Sequence, residues 1–463
     1  MTDAAPRLAA LAETLLGSPL PVRIRAWDGS EAGASGGPVL VLTNRRALRR
    51  VLWRPGELGL ARAWVAGDLT VEGDLFELLD RVGGLLWERE RPAADPALPR
   101  TGLAKLAVLR PYLPARAVGA VGSASGTLGL LRDPAARAAV RELAAMARPW
   151  PAPPPPPEEA SVRRNGAAHT KHRDRAAVSH HYDVGNEFYG HVLGPSMVYS
   201  CAYWSPGSTL EEAQRDKLDL VCRKLGLAPG TRLLDVGCGW GSMALHAARE
   251  YGAQVTGITL SREQAAHARK RVAEEGLADR IEIRVQDYRD VRDRPYEAIS
   301  SIGMAEHVGS SRYREYAGTL FGLLGPGGRL LNHQIARPPE PDEEAYRVNE
   351  FIDAYVFPDG ELSPLGSTVS ELERAGFEVR DVEALREHYG LTLRAWVARL
   401  EEHWDEAVRL TSPGRARVWR LYMAASALAF EHGRLGVNQV LAVRPGYGGA
   451  SGLPLRLRTW GAA

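Results

Sequence analysis

The sequence predicts an α/β protein in which a large domain built on a parallel sheet follows a smaller domain of mixed α+β character. At 463 residues, the chain is longer than one ordinary domain. A proline-rich run separates two parts that differ in their apolar pattern. From about residue 205, strand-like segments alternate with helical ones, which is typical of a parallel sheet covered by helices on both faces.

The composition excludes several classes of protein. Hydrophobic residues make up 45% of the chain and charged residues 25%, as in ordinary globular proteins. The formal net charge of +2 is too small to indicate nucleic-acid binding, and we expect no nucleic-acid partner. Three cysteines imply no disulfide framework and favour a reducing compartment. Because neither a cleavable leader nor a long apolar run is recognisable, we expect a cytoplasmic protein whose contact with the inner membrane surface is peripheral.

A proline cluster marks the clearest boundary in the chain. The run from Trp150 to Ala160 favours an extended polyproline conformation and predicts a spacer. Residues 161–175 carry five Arg or Lys and one Asp, and form either a solvated segment or a basic strap for anionic lipid headgroups. We therefore predict an N-terminal lipid-associating domain at 1–149, a linker at 150–177, a catalytic domain at 178–445 and a flexible tail at 446–463.

The N-terminal part mixes short strand-like runs, such as GGPVLVLTN, with helical ones, such as LFELLDRVGGLLWERE. The segment GLAKLAVLRPYLPAR (residues 102–116) places Lys and Arg beside Leu and Val. Such a segment can lie in a membrane interface. It can equally form a core helix with exposed basic ends, so both interpretations remain open.

The C-terminal part has regular helix and strand signals. Thr209, followed three residues later by Glu212, predicts a capping box, and the helix that begins there should end at Gly226. Five strands are then predicted, in TRLLDVG, AQVTGITL, IEIRVQDY, EAISSIGM and RLLNHQIA, with GPGG as the turn into the last of them. Two further helices precede a final strand, VNQVLAVRP.

The first of these strands turns into its helix through LLDVGCGWGS, a glycine-rich loop. Gly237, Gly239 and Gly241 allow a tight turn and a close approach to a ligand, while Asp235 can accept hydrogen bonds from a ligand amine. The spacing lacks the third glycine of dinucleotide enzymes, and the next strand lacks their ribose-binding acid. The pattern therefore favours a methyltransferase over a dehydrogenase, and a loop that only packs remains the alternative.

Polar and aromatic clusters flank this loop on both sides. They are SHHYDVGNEFYG (179–190), SMVYSCAYW (196–204), IGMAEHVG (302–309), LNHQIA (331–336) and REHYGLTLRAW (386–396). Together with DVGCGWG and ITLSREQ, they resemble the motifs of the cyclopropane fatty acid synthase and mycolic acid methyltransferase family, in that family's order. The resemblance spans about residues 178–444, and residues 54–79 are similar to the N-terminal domain of its longer bacterial lipid-modifying members.

The resemblance implies a Rossmann-like class I methyltransferase domain that uses S-adenosylmethionine (SAM) to methylate the cis double bond of an unsaturated phospholipid acyl chain. The residues that it implies for SAM are Tyr199, Ser200, Asp235, Gly237, Gly239, Gly241, Thr259, Leu260, Gln264, Asp287 and Tyr288. It also implies a bicarbonate ion at Cys201, Glu306, His333, Tyr389 and the backbone of Ile335, and no metal. Cys201, Glu306, His333 and Tyr389 are accordingly the candidate catalytic residues.

The implied reaction explains these residue types. An alkene is a poor nucleophile, so the methyl group must be held in line with it in an apolar cavity. Methyl transfer leaves a carbocation, which aromatic faces can stabilise, and Tyr182, Phe188, Tyr203 and Trp204 are candidates. A base, here bicarbonate, must then remove a proton.

Each of these assignments has a structural alternative. Cys201 could be a small buried hydrophobic residue. Glu306 could begin a surface helix, and His333 could be a structural residue at a strand end. The aromatic candidates could belong to the core.

Two positions depart from the family pattern. Ala305 stands where an aromatic usually precedes the Glu-His pair, and Ser426 stands where some members have a cysteine. These departures favour a 10-methylene branched product over a cyclopropane, which stays the alternative, and a methylene product would suit a partner reductase. We further expect a homo-oligomer. Rival functions are methylation of a small molecule or RNA, and non-enzymatic lipid binding.

Overall fold

The structure, a computed structural model, describes residues 3–87, 134–147, 151–159, 170–171, 173–174, 185–293, 295–340, 343, 346 and 348–455. Two compact units divide the chain, the first at 1–160 with 413–425 and the second at 161–412 with 426–463. Segment 102–116, most of the predicted basic strap and Tyr182 lie outside the described residues. These units are defined by compactness alone, so they do not test the predicted domain limits, which stay a prediction.

The first unit is a small mixed α+β structure, which confirms the predicted class of the N-terminal part. Its elements are α1 (Ala4–Leu16), β1 (Arg23–Arg25), β2 (Glu31–Gly33), β3 (Val39–Leu42), α2 (Arg46–Trp53), α3 (Glu57–Val65), β4 (Leu69–Glu72), α4 (Leu75–Trp87) and α5 (Pro134–Met146). The described strands form one sheet in the order β2-β1-β3-β4, with β1 and β3 parallel. Apolar side chains of α1, α2 and α5 pack into its core.

The second unit is built on a large sheet. Its first elements are α6 (Asn186–Leu193), α7 (Leu210–Leu225), β5 (Arg232–Val236), α8 (Ser242–Tyr251), β6 (Gln254–Thr259), α9 (Arg262–Glu274), β7 (Ile281–Val285), β8 (Tyr296–Ile302), α10 (Tyr313–Leu323) and β9 (Leu324–Arg337). They are followed by α11 (Glu350–Tyr355), β10 (Ser363–Pro364), α12 (Leu365–Arg374), β11 (Glu378–Ala384), α13 (Arg386–Glu402), α14 (Trp404–Leu410) and β12 (Gly436–Val443), while helix α15 (Pro413–Glu431) has residues 413–425 in the first unit and the rest in the second.

The strand order of this sheet is β11-β12-β9-β8-β5-β6-β7, and β10 pairs with the end of β9. Strands β5 to β9 are parallel, as the sequence predicts, whereas β12 and β11 run antiparallel at one edge. Apolar clusters cover both faces. This arrangement confirms the predicted α/β class, while the strand β11 has no counterpart in the sequence prediction.

The predicted turn GPGG lies within β9 as the structure bounds it. The register of β9 against β8 shifts between Leu324 and Arg329, and Gly327 has a φ of 79°, so the chain bends sharply at these glycines. The backbone N–H of Gly327 donates to the carbonyl of Arg444 at 2.7 Å, and the N–H of Arg444 donates to Gly328 at 2.9 Å, which ties the bend to the end of β12.

Local signals at α7 are confirmed. The Thr209 side chain accepts from the N–H of Glu212, and the Glu212 side chain accepts from the N–H of Thr209, which completes the capping box. Gly226 ends the helix with a φ of 67°, a left-handed conformation that favours glycine. The helix bounds are thus fixed by side chains at both ends.

Among the described residues, the structure contains no helix that combines the length and the apolar character needed to span a bilayer.

The capping box gives a test of the fold. Thr209→Ala removes the side-chain acceptor, so we expect the free energy of unfolding to fall by about 1 kcal/mol. Thr209→Ser keeps a hydroxyl in the same place and should retain most of that stability. Chemical denaturation of both variants measures the difference, and equal losses in the two would contradict the capping role.

Candidate active site

A cavity opens at the carboxyl ends of β5 and β6, with about 1190 Å³ of empty volume that is partly open to solvent. In a parallel sheet this edge is the usual place of a ligand site. Every residue that the resemblance implies for SAM, except Gly241, lines the cavity. The lining residues in question are Tyr199, Ser200, Asp235, Gly237, Gly239, Thr259, Leu260, Gln264, Asp287 and Tyr288.

The glycine loop forms one wall of the cavity. The backbone N–H groups of Gly237 and Cys238 both donate to the carbonyl of Ile258 at 2.9 Å, which ties the loop to β6. Gly241 begins α8 with a φ of 83°, and a Cβ there would lie 3.1 Å from the Cβ of Ala268. Gly241 therefore supports the tight turn and the packing of α8, while its neighbours face the ligand space.

Two buried ionisable residues, Asp235 and Lys217, line the cavity. Asp235 accepts a hydrogen bond from the Ser300 hydroxyl at 2.7 Å, while its second oxygen is buried without a partner in the described residues. Lys217 is 1% exposed and donates to the Ser200 hydroxyl at 2.9 Å. Burial raises the pKa of Asp235 to about 6 and lowers the pKa of Lys217 to about 8. Both groups are poised to gain from an ionic ligand.

Asp287, which is among the residues implied for SAM, is held in place by a neighbouring arginine. Burial opposes the charge of Asp287, but hydrogen bonds from Arg289 outweigh it and lower the pKa of this carboxyl. Two of these bonds come from the guanidinium, at 2.8 and 2.7 Å, and the same guanidinium donates to Asp174 at 2.8 Å. Across the cavity, Thr259 donates to the side chain of Gln264 at 2.9 Å.

A second polar cluster lies where β8 and β9 end, next to this cavity. Glu306 occupies a short 3₁₀ helix after β8, and one of its carboxylate oxygens accepts from the N–H of Ile335 at 2.8 Å. Its other oxygen is buried without a partner in the described residues, which excludes a surface helix start. His333 pairs in register with Ile302, a cavity residue, and is 2% exposed. Both ring nitrogens of His333 likewise lack partners there.

Cys201 and Tyr389 both contact the carbonyl group of Leu385, which follows β11. The Cys201 thiol lies 3.6 Å from the carbonyl oxygen of Leu385, and the N–H of Tyr389 donates to that oxygen at 3.2 Å. Leu385 in turn donates to Val437, the residue of β12 that pairs with Ile335. The predicted bicarbonate residues are thus connected through β9 and β12.

The electrostatics of this cluster follow from burial. Burial raises the pKa of Glu306 to about 7 because water no longer solvates the carboxylate. Burial, together with the ammonium groups of Lys217 and Lys224, holds the pKa of His333 well below its ordinary value, so the imidazole is neutral. Burial also raises the pKa of Cys201, which keeps this side chain a thiol and makes a thiolate nucleophile unfavourable.

The proposed aromatic cage is not found among the described residues that line the cavity. Phe188 packs edge-on against Tyr189, Tyr203 stacks on His388, and the Trp204 indole donates to Thr392 at 3.0 Å. These contacts hold the three rings elsewhere in the unit. The aromatic residues of the lining are instead Tyr199, Trp240 and Tyr288.

Ala305 lies beneath the cavity rather than in its lining. It is 6% exposed and belongs to the apolar cluster on the α10 face of the sheet, while its neighbours Met304 and His307 line the cavity. A small residue at 305 therefore lies in the apolar support beneath the cavity, and its effect on the product stays a prediction.

The buried atoms fit the two implied groups. The unpartnered oxygen of Asp235 suits the amine of SAM, within a cavity that also offers an apolar wall. The unpartnered atoms of Glu306 and His333 supply one carboxyl oxygen and a neutral imidazole, which suit a small ion that both donates and accepts hydrogen bonds. The apolar wall consists of Met197, Val198, Leu218, Ile302, Met304 and Val308.

Sequence reasoning missed three buried polar residues of this unit. Lys217 and Lys224 lie on α7 within its apolar stripe, and Gln439 lies in β12. All three are at most 1% exposed. The sequence did contain a signal for the two lysines. Lys217 and Lys224 lie seven residues apart, on the helix face that is otherwise apolar.

The comparisons with solved structures match this geometry. The cyclopropane synthase MmaA2 from Mycobacterium tuberculosis is 32% identical, with a TM-score of 0.55 over 59% of this chain and 98% of that one. A mycolic acid cyclopropane synthase, CmaA1, complexed with SAH and CTAB, is 34% identical with the same TM-score, over 58% of this chain and 97% of that one. Fold and site together define a class I SAM-dependent methyltransferase.

The family is defined more narrowly by sequence. Residues 169–440 match the model of the mycolic acid cyclopropane synthetase family. A "probable fatty acid methyltransferase" of Mycobacterium tuberculosis is 42% identical over 94% of this chain and 94% of its own length. The Escherichia coli cyclopropane-fatty-acyl-phospholipid synthase is 38% identical over 57% of this chain and 66% of its own. The chain belongs to this family, and the predicted enzyme class, a SAM-dependent lipid methyltransferase, is confirmed.

The raised pKa of Glu306 predicts a pH-dependent cost to stability. A carboxyl group with a raised pKa stabilises the fold fully below its ordinary value of 4.5 and loses that contribution as the pH rises through about 7. Glu306→Gln stays neutral and keeps an oxygen for the Ile335 N–H. We expect its stability relative to the unmodified protein to improve by about 1–3 kcal/mol between pH 5 and pH 8.5.

Denaturant unfolding in carbonate-free buffer at both pH values measures this change. Glu274→Gln, at an exposed position on α9, is the matched control and should show no such trend. A difference at Glu306 that does not vary with pH would contradict the burial of its charge.

Proposed function

We propose that this protein methylates the cis double bond of an unsaturated phospholipid acyl chain, such as oleoyl, and gives a 10-methylene branched chain. Methyl transfer leaves the positive charge on the neighbouring acyl carbon. A hydride shift to that carbon, followed by loss of a proton from the new methyl group, gives the methylene branch. The same proton loss without the hydride shift closes a cyclopropane, which is the alternative outcome. The observation that carries the proposal is the placement of Glu306 between Met304 and His307, which line the partly apolar cofactor cavity, while Glu306 carries a buried, unpartnered oxygen and His333, the register partner of the cavity residue Ile302, carries two unpartnered ring nitrogens. An acyl chain and a proton acceptor can therefore meet at one place.

When bound, SAM supplies an activated methyl group and bicarbonate supplies a base. Tyr199, Ser200 and the glycine loop would hold the cofactor, and the second oxygen of Asp235 would accept from its amine. The apolar wall excludes water, which protects the positive charge that develops on the acyl carbon after methylation. No charged side chain is needed at that carbon.

The proton must then leave the new methyl group without a strongly basic side chain nearby. Glu306, with a pKa of about 7, can be ionised or protonated at neutral pH, and the N–H of Ile335 fixes one of its oxygens. The neutral imidazole of His333 can donate one hydrogen bond without adding a charge. The Cys201 thiol and Tyr389 would complete the set of donors. These residues orient a small anion and need not touch the lipid.

The names of the relatives support a fatty acyl substrate. Two relatives that share nearly the full length of this chain are both named as probable fatty acid methyltransferases, one from Mycobacterium tuberculosis and one from Pseudomonas putida. The Escherichia coli cyclopropane synthase shares only 57% of it. We propose that the unit preceding the methyltransferase domain associates with the inner membrane surface, that the enzyme is a homo-oligomer and that a reductase processes the methylene product.

The product can be identified directly. Vesicles of dioleoyl phosphatidylglycerol are incubated with the protein and with SAM labelled with ¹³C in its methyl group, and the extracted lipid is examined by mass spectrometry and NMR. We expect each modified chain to gain one CH₂, with the label in a vinylidene carbon. A label in a ring methylene would replace the branched product by the cyclopropane, and no label in lipid would refute the proposal.

Glu306→Gln separates catalysis from cofactor binding in the same assay. This variant should bind SAM as the unmodified protein does, because Glu306 is not among the residues that line the cofactor cavity. Label transfer should fall at least a hundredfold, and Glu274→Gln should transfer label normally. Undiminished transfer by Glu306→Gln would remove Glu306 from the site.

A further inference from the structure

A row of buried polar side chains continues from His333 across the sheet to α7. Gln439 of β12 lies directly opposite His333 of β9 in the antiparallel pair, so their side chains project from the same face. This face also carries Leu331 and Leu441, which pack in the core cluster that includes residues of α7. Gln439 is 0% exposed and His333 is 2% exposed. Their side chains are therefore buried neighbours on this face.

The orientation of the Gln439 amide is set by a lysine. Lys224 of α7 donates to the side-chain oxygen of Gln439 at 2.8 Å, and its ammonium is also paired with the carboxylate of Glu383. An ammonium group can only donate hydrogen bonds. Lys224 therefore holds the oxygen of the amide, and the amide nitrogen must occupy the other position.

The amide nitrogen of Gln439 is buried and lacks a partner in the described residues, as do both ring nitrogens of His333. A neutral imidazole has one nitrogen that donates and one that accepts. The structure contains no hydrogen bond between the two side chains, but buried polar groups left unpaired cost free energy, so a side-chain rotation that lets the Gln439 donor reach an acceptor on its cross-strand neighbour removes both costs. When Gln439 donates to one nitrogen of His333, the other nitrogen carries the proton and can donate to an anion.

We propose that Gln439 is a positioning residue that selects the tautomer of His333, and that Lys224, paired with Glu383, sets the direction of its amide. The proposal rests on the proposed function only in its consequence, which is that His333 presents an N–H group to an anion. It explains why a lysine and a glutamine are buried behind the site. It also gives the antiparallel strand β12 a role in catalysis.

Gln439→Glu tests the proposal, because the new side chain keeps an oxygen for Lys224 and replaces the donor by an acceptor. The ring nitrogens of His333 are observed by ¹⁵N NMR of the full chain with labelled histidine, and His333→Gln identifies the signals. We expect the unmodified protein to show one tautomer and Gln439→Glu to show the opposite tautomer or an imidazolium. The same tautomer in both proteins would overturn the proposal.

The second measurement is the binding of ¹³C-labelled bicarbonate, followed by NMR at fixed pH with saturating SAM. Loss of the N–H donor should weaken bicarbonate binding by about tenfold or more, while the affinity for SAM should change less than about twofold. Asn438→Asp is the matched control, since it makes the same amide-to-acid change one residue earlier, on the opposite face of β12. It should leave both the tautomer and bicarbonate binding unchanged, and equal effects of the two variants would also overturn the proposal.

Gln439→Met provides a check if the acidic variant does not fold. It removes the donor with little change of volume, so we expect a mixture of His333 tautomers, and a single unmodified tautomer would again contradict the role of Gln439. Because the NMR signals of His333 do not depend on turnover, this result is read even if the protein transfers no methyl group to oleoyl vesicles. Failure of the inference and failure of the proposed function are therefore distinguishable.

Discussion

Desolvation of polar groups at the ends of β8 and β9 is the constraint on which the site depends. Glu306 and His333 each carry buried atoms without partners in the described residues, and such atoms cost free energy in a folded protein. The large sheet tolerates this cost because apolar clusters cover both of its faces. The same desolvation raises the pKa of Glu306 and lowers the pKa of His333, so both groups favour their neutral forms. The cluster can therefore receive an ion that bulk water would otherwise solvate.

Topology brings the two halves of the site together. The parallel strands β5 to β9 end at one edge, where the glycine loop follows β5 and Glu306 follows β8. The antiparallel strand β12 pairs with β9 along its length and adds Gln439 beside His333. Helix α7 crosses behind both, with Lys217 at the cofactor cavity and Lys224 at β12. One helix thereby contributes a buried ammonium to each half.

Much of this could be predicted from local patterns. The capping box at Thr209, the five parallel strands and the glycine loop are all set by short-range signals, and each is found in the structure. The roles of Lys224 and Gln439 could not be predicted, because their meaning depends on residues more than two hundred positions apart along the chain. The stacking of Tyr203 on His388, which no local pattern reveals, likewise places that ring outside the lining of the cofactor cavity.

The signs of the buried charges explain why an external anion suits this site. The ammonium of Lys217 is 1% exposed, and a cavity that must accept a sulfonium cation gains nothing from an uncompensated positive charge. The carboxylate of a bound cofactor can balance Lys217, and Glu383 already balances Lys224. A permanently ionised Glu306 would stabilise the acyl cation, but it would also repel an anionic base. Its pKa of about 7 avoids that conflict, because a protonated Glu306 can donate to an oxyanion. These charges therefore support the proposed base, a small mobile anion held by neutral donors.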